Sequence, residues 1–157
     1  MLATQPLSSP QSRTENLAPE PMMTVSGQEP KILLVEDDVT NQAVTQAQLR
    51  ILGLTCEVAA NGVEALEELA SKGYDLILLD CNMPLMDGYE TTRQIRLNPS
   101  TRTLPIIAVT AHAFTHDRSR CLAAGMDDFL AKPYWLEDLQ AKLQRYIPVP
   151  KPLGVAN

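Results

Sequence analysis

No apolar run among the 157 residues approaches the ~20 that a membrane-spanning helix needs, which argues against a helical membrane protein. Basic residues are outnumbered. Thirteen Lys and Arg against 19 Asp and Glu give a net charge of −6, which speaks against nucleic-acid binding by phosphate neutralisation. Cysteine is scarce and odd in number. Cys56, Cys81 and Cys121 are scattered, with no paired metal-type spacing, and read as reduced thiols in a cytoplasmic protein. The opening stretch MLATQPLSSPQSRTENLAPEP lacks the basic and apolar regions of a secretory signal. Only two histidines are present. His112 and His116 have zinc-like spacing on a helix, but no third ligand is evident nearby, so they are not read as a metal site.

What the chain does have is organised by proline. Of 12 prolines, five lie at or before Pro30 and three in PVPKP near the end. Proline cannot continue a helix or donate to a sheet ladder. Residues 1–29 therefore read as a flexible arm, 149–157 as a flexible tail and 30–148 as one folded domain. Hydrophobic content of 45% is ordinary for a globular unit with its own core.

Within that unit, short apolar runs alternate with helical patterns. KILLV, TCEVA, DLILL, PIIAV and DDFLA read as strands at 31–35, 55–59, 75–79, 105–109 and 127–131. Helices are expected over 40–52, 62–72, 89–97, 115–124 and 135–147. Asp38 or Thr40 caps the first and Asn61 the second, while Gly53, Gly73 and Gly125 follow helix ends. Strands 1, 3 and 4 are continuously apolar, as in a parallel sheet covered on both faces. The pattern predicts an α/β fold: a doubly wound, five-stranded parallel sheet with five helices.

In such sheets ligands sit beyond the carboxyl ends of the strands. Reading each strand end in turn gives Glu36, Asp37 and Asp38 after strand 1 and Asp80 after strand 3. Strand 4 ends in Thr110 and strand 5 in Lys132–Pro133. Two carboxylates ~5 Å apart repel by about 3 kcal/mol at an effective dielectric of ~20. Glu36, Asp37 and Asp80 therefore call for a counter-ion, and a hard divalent cation such as magnesium suits oxygen ligands where phosphate is handled. Asp80 then reads as a carboxylate nucleophile beside a metal, with Lys132 and Thr110 donating to phosphoryl oxygens. Asp38 is assigned to capping.

The runs ILLVEDD, DLILLDCNMPLMDGYE, PIIAVTAHA and GMDDFLAKP together resemble the receiver domain of two-component response regulators, which has the flavodoxin-like fold. Their wording is closest to receivers of hybrid sensor histidine kinases. The resemblance implies that Asp80 accepts a phosphoryl group from a phosphohistidine, and that Asp37 ligates magnesium with Glu36 acting through water. It further implies that the backbone carbonyl of Asn82 is a third ligand, Thr110 the switch hydroxyl and Lys132 the phosphoryl-binding lysine, followed by a cis peptide to Pro133. Phe129 stands at the switch-aromatic position, where it can swing inward but has no hydroxyl to bond a partner.

The implied role is a signalling switch that is not an enzyme beyond autocatalytic phosphoryl acceptance and slow self-dephosphorylation. Its expected partners are a sensor histidine kinase or a histidine phosphotransfer protein, with a downstream partner docking on helix 4, strand 5 and helix 5. With ten residues after Ile147, no output domain is expected, leaving a stand-alone regulator or a receiver from a hybrid kinase. The alternative is a magnesium-dependent aspartyl-phosphate hydrolase of the haloacid-dehalogenase type. That chemistry needs a general acid two residues after the nucleophile, and Asn82 cannot serve. A dinucleotide module is disfavoured because no G-x-G-x-x-G follows strand 1. Cys81, Met83 and Met86 are read as packing residues, and Tyr134 and Trp135 as anchors of the last helix.

Overall fold

The computed structural model describes residues 29–111 and 115–150. The expected arm, Glu29 apart, and the tail beyond Pro150 lie outside the described residues, as do the side chains of His112 and His116. The strands are β1 (Ile32–Val35), β2 (Cys56–Ala59), β3 (Leu76–Asp80), β4 (Ile106–Thr110) and β5 (Asp128–Ala131). The helices are α1 (Val39–Ile51), α2 (Gly62–Ser71), α3 (Gly88–Leu97), α4 (Thr115–Ala124) and α5 (Leu136–Gln144). All neighbouring strands pair in parallel, in the order β2-β1-β3-β4-β5. The chain turns one way from β1 to β2 and the other way from β3 onward. The crevice between the carboxyl ends of β1 and β3 is thus the switch point of the sheet, where such folds bind ligands.

Alternation of side chains explains the continuous apolar runs. Ile32, Leu34, Leu76 and Leu78 face a layer closed by Leu49 of α1, by Leu52 just after it and by Leu139 and Leu143 of α5. Leu33, Val35, Ile77 and Leu79 face the opposite layer with Ala65, Ile95 and Cys121 of α2, α3 and α4. Both faces of β1 and β3 are buried, so neither strand has room for a polar residue before its end.

The helix starts are fixed by carboxylate and amide caps. Asp38 accepts from the Asn41 N–H and Asn61 from the Glu64 N–H, each at 2.9 Å. Gly53 ends α1 in the left-handed region at φ +81°, as expected of a glycine after a helix end. The end of the domain differs from expectation. Val149 belongs to the core layer of α1 and α5, and Pro150 is buried beside Gly53. Proline stops a helix but lacks an N–H to satisfy, so an extended proline-rich segment can still be buried.

Trp135 also departs from its expected role. It is 77% exposed and contributes to α5 only through its backbone, whose N–H donates to the Asp138 carboxylate at 2.9 Å. The anchor is Tyr134, whose ring packs on the core and whose hydroxyl lies 2.6 Å from Thr45 Oγ1.

Gly88 opens α3 against the floor of the crevice. A Cβ there would collide with the carbonyl oxygen of Asp80 and stand 2.9 Å from Cys81 Cα. Backbone on both sides cannot yield, so Gly88→Ala should cost about 3 kcal/mol or more. Urea unfolding of the variant measures this. A loss below about 1 kcal/mol would mean that α3 can back away.

Candidate functional site at the sheet switch point

Asp80 is the last residue of β3 and only 6% exposed. Its Oδ1 accepts the Asn82 N–H at 3.0 Å. Glu36 directly follows β1 and is 3% exposed. One of its oxygens accepts the Asp38 N–H at 3.1 Å, and the other accepts from Lys132 Nζ, also at 3.1 Å. Lys132 Nζ stands 3.6 Å from Asp80 Oδ2 as well, so one ammonium group bridges the two buried carboxylates. The lysine is held in place by its own N–H, which donates to the Thr110 carbonyl at 2.7 Å, and the peptide to Pro133 is cis.

Asp37 completes the group from the solvent side. Oxygens of Glu36, Asp37 and Asp80 all lie within 4.8 Å of one another, with Asp37 exposed. Three carboxylates against one ammonium leave the cluster short of positive charge. A hard divalent cation fits this donor set, and exposed Asp37 leaves it a route in. Burial is the first cause that pushes the Asp80 carboxyl up to about 6, and the Glu36 charge adds to it. The Asn82 N–H and the Lys132 charge pull the other way. Burial opposes the charged form of Lys132 too, but Asp80 and Glu36 outweigh it and hold this ammonium above its usual range.

Thr110 closes β4, 2% exposed, one position beyond the Asp80–Val109 pair in the register and opposite Ala131. Phe129 is half-buried on β5 and packs on the layer of α2, α3 and α4. Asn82 is exposed at the mouth of the crevice. The structure therefore brings Glu36, Asp37, Asp80 and Lys132 into one cluster, with Thr110 at the adjoining strand end and Asn82 on the loop.

Several side-chain contacts of the fold went unread in the sequence. Asp87 caps α3 by accepting the Glu90 N–H at 2.9 Å, and an Asp-Gly pair before a helical pattern is a signal that could have found it. Cys81 and Cys121, scattered in sequence, meet with their sulfurs 4.0 Å apart. Burial pushes the Cys81 thiol up to about 12, which fits its reading as a packing residue. Asp128, read only as part of a strand, is a buried carboxylate bound by Lys142 and Arg145, each at 2.8 Å.

Comparison with known proteins agrees with this geometry. The family model described as response regulator receiver domain matches residues 32–144. Hybrid signal transduction histidine kinase G of Dictyostelium discoideum is 42% identical over 127 residues, which cover 79% of this chain but 4% of that protein. Sensor histidine kinase RcsC of Salmonella typhi is 43% identical over 115 residues, covering 73% of this chain and 12% of that protein. This chain thus spans only a small part of the curated relatives it matches. Among solved structures, the receiver domain of sensor histidine kinase PA1611 from Pseudomonas aeruginosa, with a magnesium ion coordinated in its active-site cleft, is 48% identical. It has a TM-score of 0.70, and the match covers 74% of this chain and 96% of that one. The receiver domain of Saccharomyces cerevisiae Ssk1, crystallised with the histidine phosphotransfer protein Ypd1, is 31% identical with a TM-score of 0.70, covering 74% and 88%. Matched from its first strand to its last helix and carrying a carboxylate cluster with a bridging lysine at the switch point, the chain belongs to the response regulator receiver domain family.

Proposed function

We propose that this chain accepts a phosphoryl group on Asp80 from a phosphohistidine and passes the event on as a change of surface. The observation that carries the reading is the cluster of Asp80, Glu36 and Asp37 with Lys132 bridging two of the three. An Asp80 oxygen attacks phosphorus, the P–N bond of the donor breaks, and the leaving imidazole keeps the electron pair and takes a proton. Asp37, Asp80, the Asn82 carbonyl and, through water, Glu36 would hold magnesium, as the Pseudomonas relative does in its cleft. Bound there, the ion offsets the carboxylates' repulsion and the charge on the incoming phosphoryl group. Lys132 donates to a phosphoryl oxygen in place of its present carboxylate partners, and Thr110 donates to another.

The donor is a sensor histidine kinase or a phosphotransfer protein, as in the yeast pair. The downstream partner docks on α4, β5 and α5. The folded switch runs from Pro30 to Pro150. It works in the cytoplasm as an acceptor rather than a turnover enzyme, with slow self-dephosphorylation. Among the described residues no helix is long and apolar enough to cross a membrane. The hydrolase alternative finds no support, since Asn82 occupies the position of its general acid and the matched family is the receiver.

Phosphoramidate and magnesium should add one base-labile phosphoryl group, seen by intact mass. Chelating the metal or substituting Asp37→Ala should slow this at least about tenfold and remove the rise in melting temperature that magnesium gives. Labelling of Asp37→Ala at the parent's rate, with the parent's metal response, would show the ligand set to be wrong.

A further inference from the structure

The ring of Phe129 lies within reach of two cations. The guanidinium carbon of Arg118 is 4.7 Å from the ring centroid and the Lys142 ammonium 5.1 Å, both within the ~6 Å over which a cation is drawn to an aromatic face. The two come from different helices, Arg118 from α4 and Lys142 from α5. β5 is the edge strand of the sheet, which lets a residue of α5 reach round to a ring that packs against the other layer. Lys142 is not there by accident of a loose side chain. Asp128 holds its ammonium at 2.8 Å and is itself tied to Arg145. Among the described residues no carboxylate pairs with Arg118, whose guanidinium instead meets the Phe129 ring.

We infer that Arg118 and Lys142 are positioning residues that clamp Phe129 in its half-buried place and thereby set how readily the switch turns over. The inference rests on the reading of Phe129 as the group that swings inward when Asp80 is charged with phosphoryl. A phenyl ring has no hydroxyl with which to hold a position, and the two cations provide that hold from opposite helices. Moving the ring inward parts it from both. A cation at an exposed aromatic face shifts such a two-position equilibrium by about fivefold. Any ligand that favours the inward state is weakened by the same factor through the reduced population of that state. Removing one cation should therefore make the protein easier to switch.

Arg118 is exposed, so Arg118→Gln should leave the fold intact. The experiment titrates beryllium fluoride, a phosphoryl mimic, in the presence of magnesium. It is paired with 19F spectra of protein labelled with 4-fluorophenylalanine, in which Phe114→Leu assigns the signal of Phe129. Arg118→Gln should tighten the apparent affinity for beryllium fluoride about fivefold on unlabelled protein. The unliganded Phe129 signal should move toward its liganded position. Arg118→Lys should restore the parent's values, and in a Phe129→Leu background Arg118→Gln should change nothing. If the parent's Phe129 signal responds to beryllium fluoride but Arg118→Gln matches the parent, the clamp alone is wrong. The same holds if its effect persists without the ring. A parent that binds beryllium fluoride with no response at Phe129 overturns the swinging ring, and the clamp with it.

Discussion

Asp80→Asn should abolish phosphoryl acceptance and, at neutral pH without magnesium, make the protein more stable than the parent. Both effects have one cause. The crevice keeps a carboxylate out of water beside Glu36, and burial raises its pKa from 3.8 to about 6. Between those values the folded protein takes up a proton that the unfolded chain does not, so folding is favoured on the acid side. As pH rises through about 6 the folded state must carry the charge, and this contribution to stability declines. A rise from 3.8 to about 6 corresponds to roughly 3 kcal/mol, and relaxation around a carboxylate at a solvent-facing rim brings it to about 2 kcal/mol. An asparagine is neutral at every pH and escapes the cost. Its melting temperature should exceed the parent's by several degrees at pH 7.5, with the gap closing near pH 4. Magnesium should narrow the gap by stabilising the parent. A variant that still accepts phosphoryl at the parent's rate would remove Asp80 from the role, while a variant less stable at pH 7.5 would mean that Lys132 already neutralises the charge.

How much of this could be read before folding depended on the range of the interaction. Strand ends were legible because a doubly covered strand tolerates no polar residue until it leaves the sheet. Asp80, Glu36 and Thr110 each stand where an apolar run stops. Asp38 and Asn61 were legible because a cap reaches only three residues along the chain. The lysine's partners were less so. Lys132 was expected to await a phosphoryl oxygen, whereas it bonds Glu36, 96 residues away, at 3.1 Å. The 40-residue separation of Cys81 and Cys121 concealed their contact in the same way, because α4 and the end of β3 meet only in the folded layer. Trp135 was misread for a different reason. A large aromatic beside a helix start looks like an anchor, but here the backbone of Trp135 does the capping and Tyr134 fills the core.

Thr110→Ala should separate receiving the phosphoryl group from reporting it. Thr110 ends β4, one step beyond the residue paired with Asp80, and its neighbour across the register is Ala131, two residues from Phe129 on β5. Its hydroxyl lies on a strand that carries neither Asp80 nor the acidic pair Glu36 and Asp37, so removing it leaves the proposed nucleophile and metal ligands at the ends of their own strands. Lys132 cannot make this distinction. It already touches Asp80 and Glu36, so its loss would disturb the resting cluster as well as the charged one. Phosphorylation of Thr110→Ala by phosphoramidate should proceed within about threefold of the parent. The variant should instead lose most of the change that beryllium fluoride produces in amide exchange around Phe129 and α4, because no hydroxyl is drawn toward the new charge and no space opens for the ring. Protection changes of parental size in Thr110→Ala would show that the switch bypasses Thr110. A parallel loss of phosphorylation would place Thr110 in the transfer step itself.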